Sequence, residues 1–314
     1  MSIPVAAMNL AGKYCRRASR RLLYGVGSLV FAPHRCPGCG GWRKRRRLAV
    51  CLGELSPSLL RRGIFATGCP RCGLLFASPR PSDDQLQRWY SESGSWATTH
   101  GADEPDRRRP LVRKHLIAAI DEITDVCTPP SGSRALDFGC GNGKWLDTLK
   151  EYGWDTFGID PGLKTAFRRH AELREVPAAT EFRFVVLSHV LEHVTEPASL
   201  LTQLARATVP GGWIFVAVPS IDRLPEHGDW FYVLNARAHV AAYSVDCLTT
   251  LLGRAGFGDV RVLPVQRGSD TSLRRLWLLA QRGAPMRQVR RPLQSALAAL
   301  ASVKGVAPTR DTRS

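Results

Sequence analysis

The sequence predicts an α/β protein: a parallel sheet with helices on both faces, preceded by a small β unit built on cysteines. Three features carry this expectation. A short apolar strand closing on Asp137 runs into a glycine turn that opens a helix; a second strand closes on Asp160; and two copies of a Cys-Pro-x-Cys-Gly knuckle precede both. With 314 residues the chain has room for one large domain and a smaller unit or substantial tails. Its 44% hydrophobic and 23% charged residues are those of a chain that buries a core, which excludes extensive disorder.

The chain carries 44 Lys and Arg against 27 Asp and Glu, a net charge of +17. Residues 1–50 hold 11 of the basic residues and no acid, and residues 273–314 hold nine with Asp311 as their only acid. The stretch between is nearly neutral. The excess therefore sits on the ends, as expected for a globule with basic appendages that meet an anionic surface, and a basic catalytic groove is not indicated. No stretch reaches the ~20 apolar residues of a membrane span; residues 22–32 come nearest. Arg16, Arg17, Arg20 and Arg21 beside Leu22, Leu23, Val26 and Leu29 fit either a basic amphipathic helix on an anionic membrane face or a solvated arm. Ser19-Arg20-Arg21-Leu22-Leu23 loosely imitates a twin-arginine export signal, but the cofactor inferred below is cytoplasmic, and so is the expected location, peripheral to a membrane if the arm binds one.

Cysteines occur at positions 15, 36, 39, 51, 69, 72, 127, 140 and 247. An odd, scattered set argues against a disulfide framework. Cys36-Pro-Gly-Cys39-Gly and Cys69-Pro-Arg-Cys72-Gly are different: each knuckle turns two thiolates to one side, and two knuckles complete the tetrahedral shell that Zn²⁺ favours. A closed four-thiolate shell has no open position, so this zinc is expected to be structural. Cys51, in an apolar run, reads as a buried strand residue. Downstream, residues 73–82 form an extended segment, Ser82 caps a short helix, and residues 107–127 return to helical periodicity.

The glycine turn reads Ala135-Leu-Asp137-Phe-Gly139-Cys140-Gly141-Asn-Gly143-Lys. It fits neither the Walker loop nor the G-x-G-x-x-G dinucleotide pattern. An acid at the strand end repels a pyrophosphate and welcomes an ammonium group. Asp160, 21 residues after Gly139, stands where an acid takes ribose hydroxyls. A ligand with a ribose, an amino group and no phosphate at the turn is S-adenosyl-L-methionine.

On these residues the sequence resembles the class I S-adenosylmethionine-dependent methyltransferases. LDFGCGNG looks like their first motif and GIDP like their second; the run from Phe182 through Ser188 to Pro197 resembles the fourth strand and its turn, Val209 to Pro219 the glycine turn and fifth strand, and Ser244 to Phe257 the closing helix. The implied fold is a Rossmann-like methyltransferase sheet with helices on both faces, following the zinc-ribbon-like unit. The cofactor-binding residues implied are Asp137, Gly139, Cys140, Gly141, Gly143, Asp160, Pro161 and Ser188. The expected organisation is a basic arm (1–33), a ribbon-like unit (34–81), a helical linker or lid (82–130), the cofactor-binding domain (131–283) and a basic tail (284–314). Two departures stand out: Arg183 replaces the usual acid at the start of the fourth strand, and only residues 171–176 remain for a third strand, with Glu172 and Glu175 as the acids near the adenine.

Methyl transfer is mostly alignment, with a base where the nucleophile arrives protonated. His189, Glu192 and His193 follow the fourth strand, at the sheet edge where α/β proteins bind ligands. This H-x-x-E-H resembles the E-x-x-E-H turn with which ubiquinone-pathway and small-RNA methyltransferases bind a divalent metal, His239 standing about where the RNA enzymes add a ligand. Two readings stay open: a functional metal site on His189, Glu192, His193 and His239, or a turn tied to neighbouring backbone. The insert from Ser220 to Tyr243 offers His227, Asp229, Trp230, Phe231, Tyr232 and Tyr243, a mix suited to stacking on a ring or sugar face of the substrate; alternatively Trp230 and Phe231 pack under the loop as a satellite core. The expected acceptor is an oxygen or carbon of a small-molecule, saccharide-like or lipid-linked compound such as a glycolipid, with the basic ends near anionic lipid. An RNA methyltransferase gripping RNA with ribbon and ends is less well supported, since the central stretch is slightly acidic. A non-catalytic binding module is the third reading.

Overall fold

The computed structural model describes residues 35–41, 47–48, 65–69, 71–78, 80–86, 129–160, 170–179, 181–222, 239–263 and 275–286. The basic arm and nearly all of the basic tail, Cys15, Cys51 and Cys127, Pro161, most of the 82–130 segment and insert residues 223–238 lie outside them.

A seven-stranded sheet forms the body. It comprises β4 (Arg134–Phe138), β5 (Asp155–Ile159), β6 (Ala171–Glu172), β7 (Phe182–Ser188), β8 (Thr208–Pro219), β10 (Phe257–Val262) and β11 (Arg275–Arg282). The spatial order is β6-β5-β4-β7-β8-β11-β10. Pairings among the first five are parallel, while β11 runs antiparallel to both neighbours. The chain leaves β4 to one side for β5 and later returns on its other side as β7, so the direction of winding reverses at β4. A crevice opens at the carboxyl ends of strands at such a point. The glycine turn and the His189 turn both lie there. The third strand amounts to two exposed residues, Ala171 and Glu172, beside β5.

Near-continuous apolar runs in β7 and β8 mark strands covered on both faces. Helix α1 (Lys144–Glu151) starts from Gly143 in the left-handed region and buries Leu146 and Leu149. Helix α2 (Pro197–Ala207) buries Leu200, Leu201 and Leu204. Helix α3 (Val245–Ala255) begins at Ser244, whose hydroxyl accepts from Cys247 N–H, and stops at Gly256, which is left-handed at φ 96°. Among the described residues no helix is long and apolar enough to cross a membrane.

The cysteine unit contributes β1 (Arg47–Leu48), β2 (Phe65–Gly68) and β3 (Leu75–Ser78) to a second, antiparallel sheet. Its fourth strand, β9 (Ala241–Ala242), comes from the far end of the chain and pairs with β3. Both sheets share a core: the four knuckle cysteines, Leu74 and Phe76 belong to one buried cluster with Tyr243, Leu248, Leu251 and the inner residues of β7 and β8. Helix α3 supplies part of the core of the cysteine unit. Ser82 caps the helix starting at residue 83 reciprocally, its hydroxyl accepting from Gln85 N–H while Gln85 Oε1 accepts from Ser82 N–H.

Because Phe76 is buried in this common core, Phe76→Ala is expected to destabilise the whole protein by about 3–5 kcal/mol. Urea unfolding followed by tryptophan fluorescence and circular dichroism should show one shifted transition. Two separated transitions would contradict a shared core.

Candidate active site

The glycine turn stands on β4 and leans on β5. Gly139 and Cys140 N–H groups donate to Ile159 C=O at 2.7 and 3.2 Å, and Gly143 N–H to Cys140 C=O at 2.9 Å. Gly139, Gly141 and Gly143 have φ of 78°, 51° and 79°, where a side chain is strained. At Gly139 a Cβ would also overlap Val190, so the glycine turn and the His189 turn are in contact. At Gly141 a Cβ would meet no atom of the described residues within 4 Å.

Asp137, the last residue but one of β4, is 1% exposed, and neither carboxylate oxygen has a hydrogen-bond partner among the described residues. Burial, with Asp160 nearby, holds its carboxyl well above the usual range. Asp160 follows β5 and is half-buried; its Oδ2 accepts from Gly141 N–H at 2.8 Å. It therefore also braces the glycine turn, a role that spacing alone did not suggest. Cys140 is buried, and burial, Asp137 and Asp160 push its thiol up; Glu172 adds to this and so acts on the turn, though its side chain is exposed. Glu175 is exposed as well. Ser188 ends β7, half-buried, in register with Ala217. Lys144 opens α1, and burial pushes its ammonium down.

The second turn centres on Glu192. It is buried within the single 3₁₀ turn Leu191–His193. His189, at φ 57°, swings its ring back so that Nδ1 lies 2.9 Å from Glu192 Oε1. His193 Nε2 is 4.0 Å from the same oxygen, and the His193 and His239 rings meet edge to face at 4.8 Å. Burial raises Glu192, but the hydrogen bond from His189 and the charges of His189, His193 and His239 outweigh it and hold the carboxyl at about 2. An ionised Glu192 accepts, so His189 Nδ1 carries the proton and, in the neutral ring, Nε2 offers its lone pair. Nε2 is buried with no partner among the described residues, as is Glu192 Oε2. Ligand atoms of Glu192, His193 and His239 lie within 4.8 Å of one another.

Backbone contacts secure this turn. Val240 N–H donates to Glu192 C=O at 2.7 Å, and the buried Tyr243 hydroxyl donates to Leu191 C=O at 2.8 Å. Tyr243 is thus a core residue that holds the turn, which corrects its reading as a stacking surface for substrate. Local spacing carried no sign of this, because the partner lies 52 residues away. His227, Asp229, Trp230, Phe231 and Tyr232 lie outside the described residues.

Away from this edge, the knuckle cysteines converge. Cys36, Cys39, Cys69 and Cys72 are all buried, with Sγ atoms within 4.8 Å of one another. The knuckles are geometrically alike: Cys36 N–H and Gly40 N–H donate to Gly41 and Cys36 C=O, as Cys69 N–H and Gly73 N–H donate to Leu74 and Cys69 C=O. Cys247 of α3 is buried in the same cluster as these four cysteines.

Residues 111–262 match the family model described as a methyltransferase domain. The match covers 152 of the 314 residues, just under half of the chain. A ubiquinone biosynthesis O-methyltransferase from Albidiferax ferrireducens is 28% identical over 184 residues, 52% of this chain and 66% of that protein. The human mitochondrial ubiquinone biosynthesis O-methyltransferase is 30% identical over 148 residues, 41% of this chain and 39% of its own length. The chain thus spans less than two thirds of either relative. A solved S-adenosylmethionine-dependent methyltransferase from Archaeoglobus fulgidus is 17% identical, with a TM-score of 0.45 over 62% of this chain and 99% of that one.

A carboxyl held down stabilises the fold above its unfolded value and loses that contribution as pH falls through its folded value. Wild-type stability should therefore decline as pH drops from 4.5 to about 2 by more than that of Glu192→Gln. Chemical denaturation across this range checks it; parallel curves for the two proteins would remove Glu192 from the charged cluster.

Proposed function

We propose that this protein transfers a methyl group from S-adenosylmethionine to an oxygen of a small-molecule acceptor, of saccharide-like or lipid-linked type. The observation that carries the reading is the Asp137 carboxylate: buried, hydrogen-bonded to nothing among the described residues, and two residues before the first glycine of the turn. A buried carboxylate without a partner is costly, and an ammonium group satisfies it. Asp137 would hold the amino group, Asp160 the ribose hydroxyls with what its bond to Gly141 leaves free, and the 139–143 backbone would line the cleft. The nucleoside, once bound, supplies an electrophilic methyl on a sulfonium.

The resemblance to O-methyltransferases and the His189–Glu192 pair support oxygen over carbon as the acceptor atom. His189 Nε2 takes the proton of the acceptor hydroxyl, while Glu192 fixes the ring through Nδ1 and offsets the imidazolium charge. A second reading is favoured by the mutual approach of Glu192, His193 and His239, which would hold a divalent cation that orients the acceptor oxygen. Chelator-insensitive methylation that fails in His189→Ala supports the first reading; metal-dependent methylation supports the second. At the four cysteines we propose a structural Zn²⁺, the donor set and separations being those of a closed thiolate site. The basic ends support a cytoplasmic, membrane-peripheral location.

Calorimetric titration with S-adenosylhomocysteine should show binding that Asp137→Asn abolishes. Ionising a buried acid whose value is raised opposes folding as pH rises, so the same variant should be at least as stable as wild type at neutral pH. Wild-type protein that gives no heat refutes the reading. Elemental analysis should return one zinc per chain, lost in the Cys36→Ser, Cys39→Ser double variant; wild-type protein free of zinc overturns the metal assignment.

A further inference from the structure

A short run of backbone joins the cysteine unit to the histidine cluster. Strand β3 starts three residues after Cys72 and pairs with β9, Leu75 opposite Ala242 and Phe76 opposite Ala241. Beyond that pair, Ala77 N–H donates to Val240 C=O at 2.9 Å, and Val240 N–H donates to Glu192 C=O at 2.7 Å. Val240 is therefore held on one side by the cysteine unit, and on the other it holds the residue on which three histidines converge. His239 immediately precedes it.

The same unit grips the far end of the turn. Arg80 donates to Thr195 C=O at 3.0 Å and pairs with Glu196, while the Thr195 hydroxyl donates to Asp83 at 2.6 Å. The knuckle itself rests on α3: a Cβ on Gly38 would come within 3.1 Å of Leu251 Cδ2 and 3.5 Å of Cys72 Sγ.

Strands of two to four residues do not hold register by their own pairing, and each hydrogen bond adds only about 1 kcal/mol. A metal shell that joins the knuckle before β1 to the knuckle between β2 and β3 closes this sheet covalently in all but name, and its binding energy becomes folding energy of the unit.

We propose that the four-cysteine unit positions the methyl-transfer site: metal on Cys36, Cys39, Cys69 and Cys72 fixes β3, and β3, through Ala77 and Val240, sets His239 against Glu192. The proposal rests on the metal assignment and on the reading of the histidine cluster as the reaction centre. Val240 and Ala77 are positioning residues in it and touch no substrate.

Hydrogen exchange on the full chain, read by mass spectrometry with zinc bound and after chelation, tests it. With zinc removed, amides of residues 191–193 and 239–243 should exchange about tenfold faster or more while β4, β7 and β8 keep their protection. Added Zn²⁺ should restore the protection, and Cys36→Ser should reproduce the chelated pattern. Unchanged protection at 239–243 overturns the proposal, and so does loss of protection across the whole chain, because the metal would then serve the global fold. Exchange is measured without nucleoside, so a failed S-adenosylhomocysteine titration counts against the methyltransferase reading alone, and zinc analysis of the same sample tests the metal assignment separately.

Discussion

Two carboxylates are kept from water at one edge of the sheet, and the protein balances only one of them. Glu192 is buried among His189, His193 and His239, and their hydrogen bond and charge hold it ionised. Asp137 is buried as deeply, with an acid as its nearest charged influence and no donor reaching either oxygen among the described residues. Burial of an ion is tolerated when it is paired and resisted when it is not. Among the described residues, the first carboxylate is hydrogen-bonded through one oxygen and the second through neither. That asymmetry supports the proposed division of work, with the cofactor at the glycine turn and the acceptor chemistry at the Glu192 turn.

The parallel sheet makes this arrangement possible. β4 lies between β5 and β7, so the ends of all three strands open into one crevice. Backbone that must bend sharply there uses glycine at 139, 141 and 143, and at position 189 a histidine, which enters the left-handed region at a cost that its hydrogen bond to Glu192 offsets. Val190 presses onto Gly139, so the two turns set each other's position. Away from this edge, His170 bridges Thr156 and Asp147 and pins the start of the two-residue third strand to α1, where so short a strand has little pairing of its own.

The cysteine unit is not an appendage. Its knuckles pack on α3, its sheet ends with a strand contributed by residues 241–242, and its buried side chains continue the core of the large sheet. A small β unit has too little interior to be stable alone, and here the neighbouring helix extends that interior. Sharing a core means that the state of one unit is felt in the other.

Local chemistry was legible in the amino-acid sequence by itself. The glycine turn, the acids at 137 and 160, the paired knuckles and the Ser82 cap each depend on residues a few positions apart, and nearby backbone geometry dictates what such residues do. The brevity of the third strand was equally visible, because only residues 171–176 had room for it. Relations between distant segments were decided by tertiary structure alone. Tyr243 reads as a stacking aromatic until its hydroxyl is found on Leu191 C=O; the spacing does not show that Asp160 also accepts from Gly141 N–H; and nothing in it joins Ala77 to Val240. Those contacts follow from how two sheets and a helix pack around one core, a property of the whole chain that no short window of sequence contains.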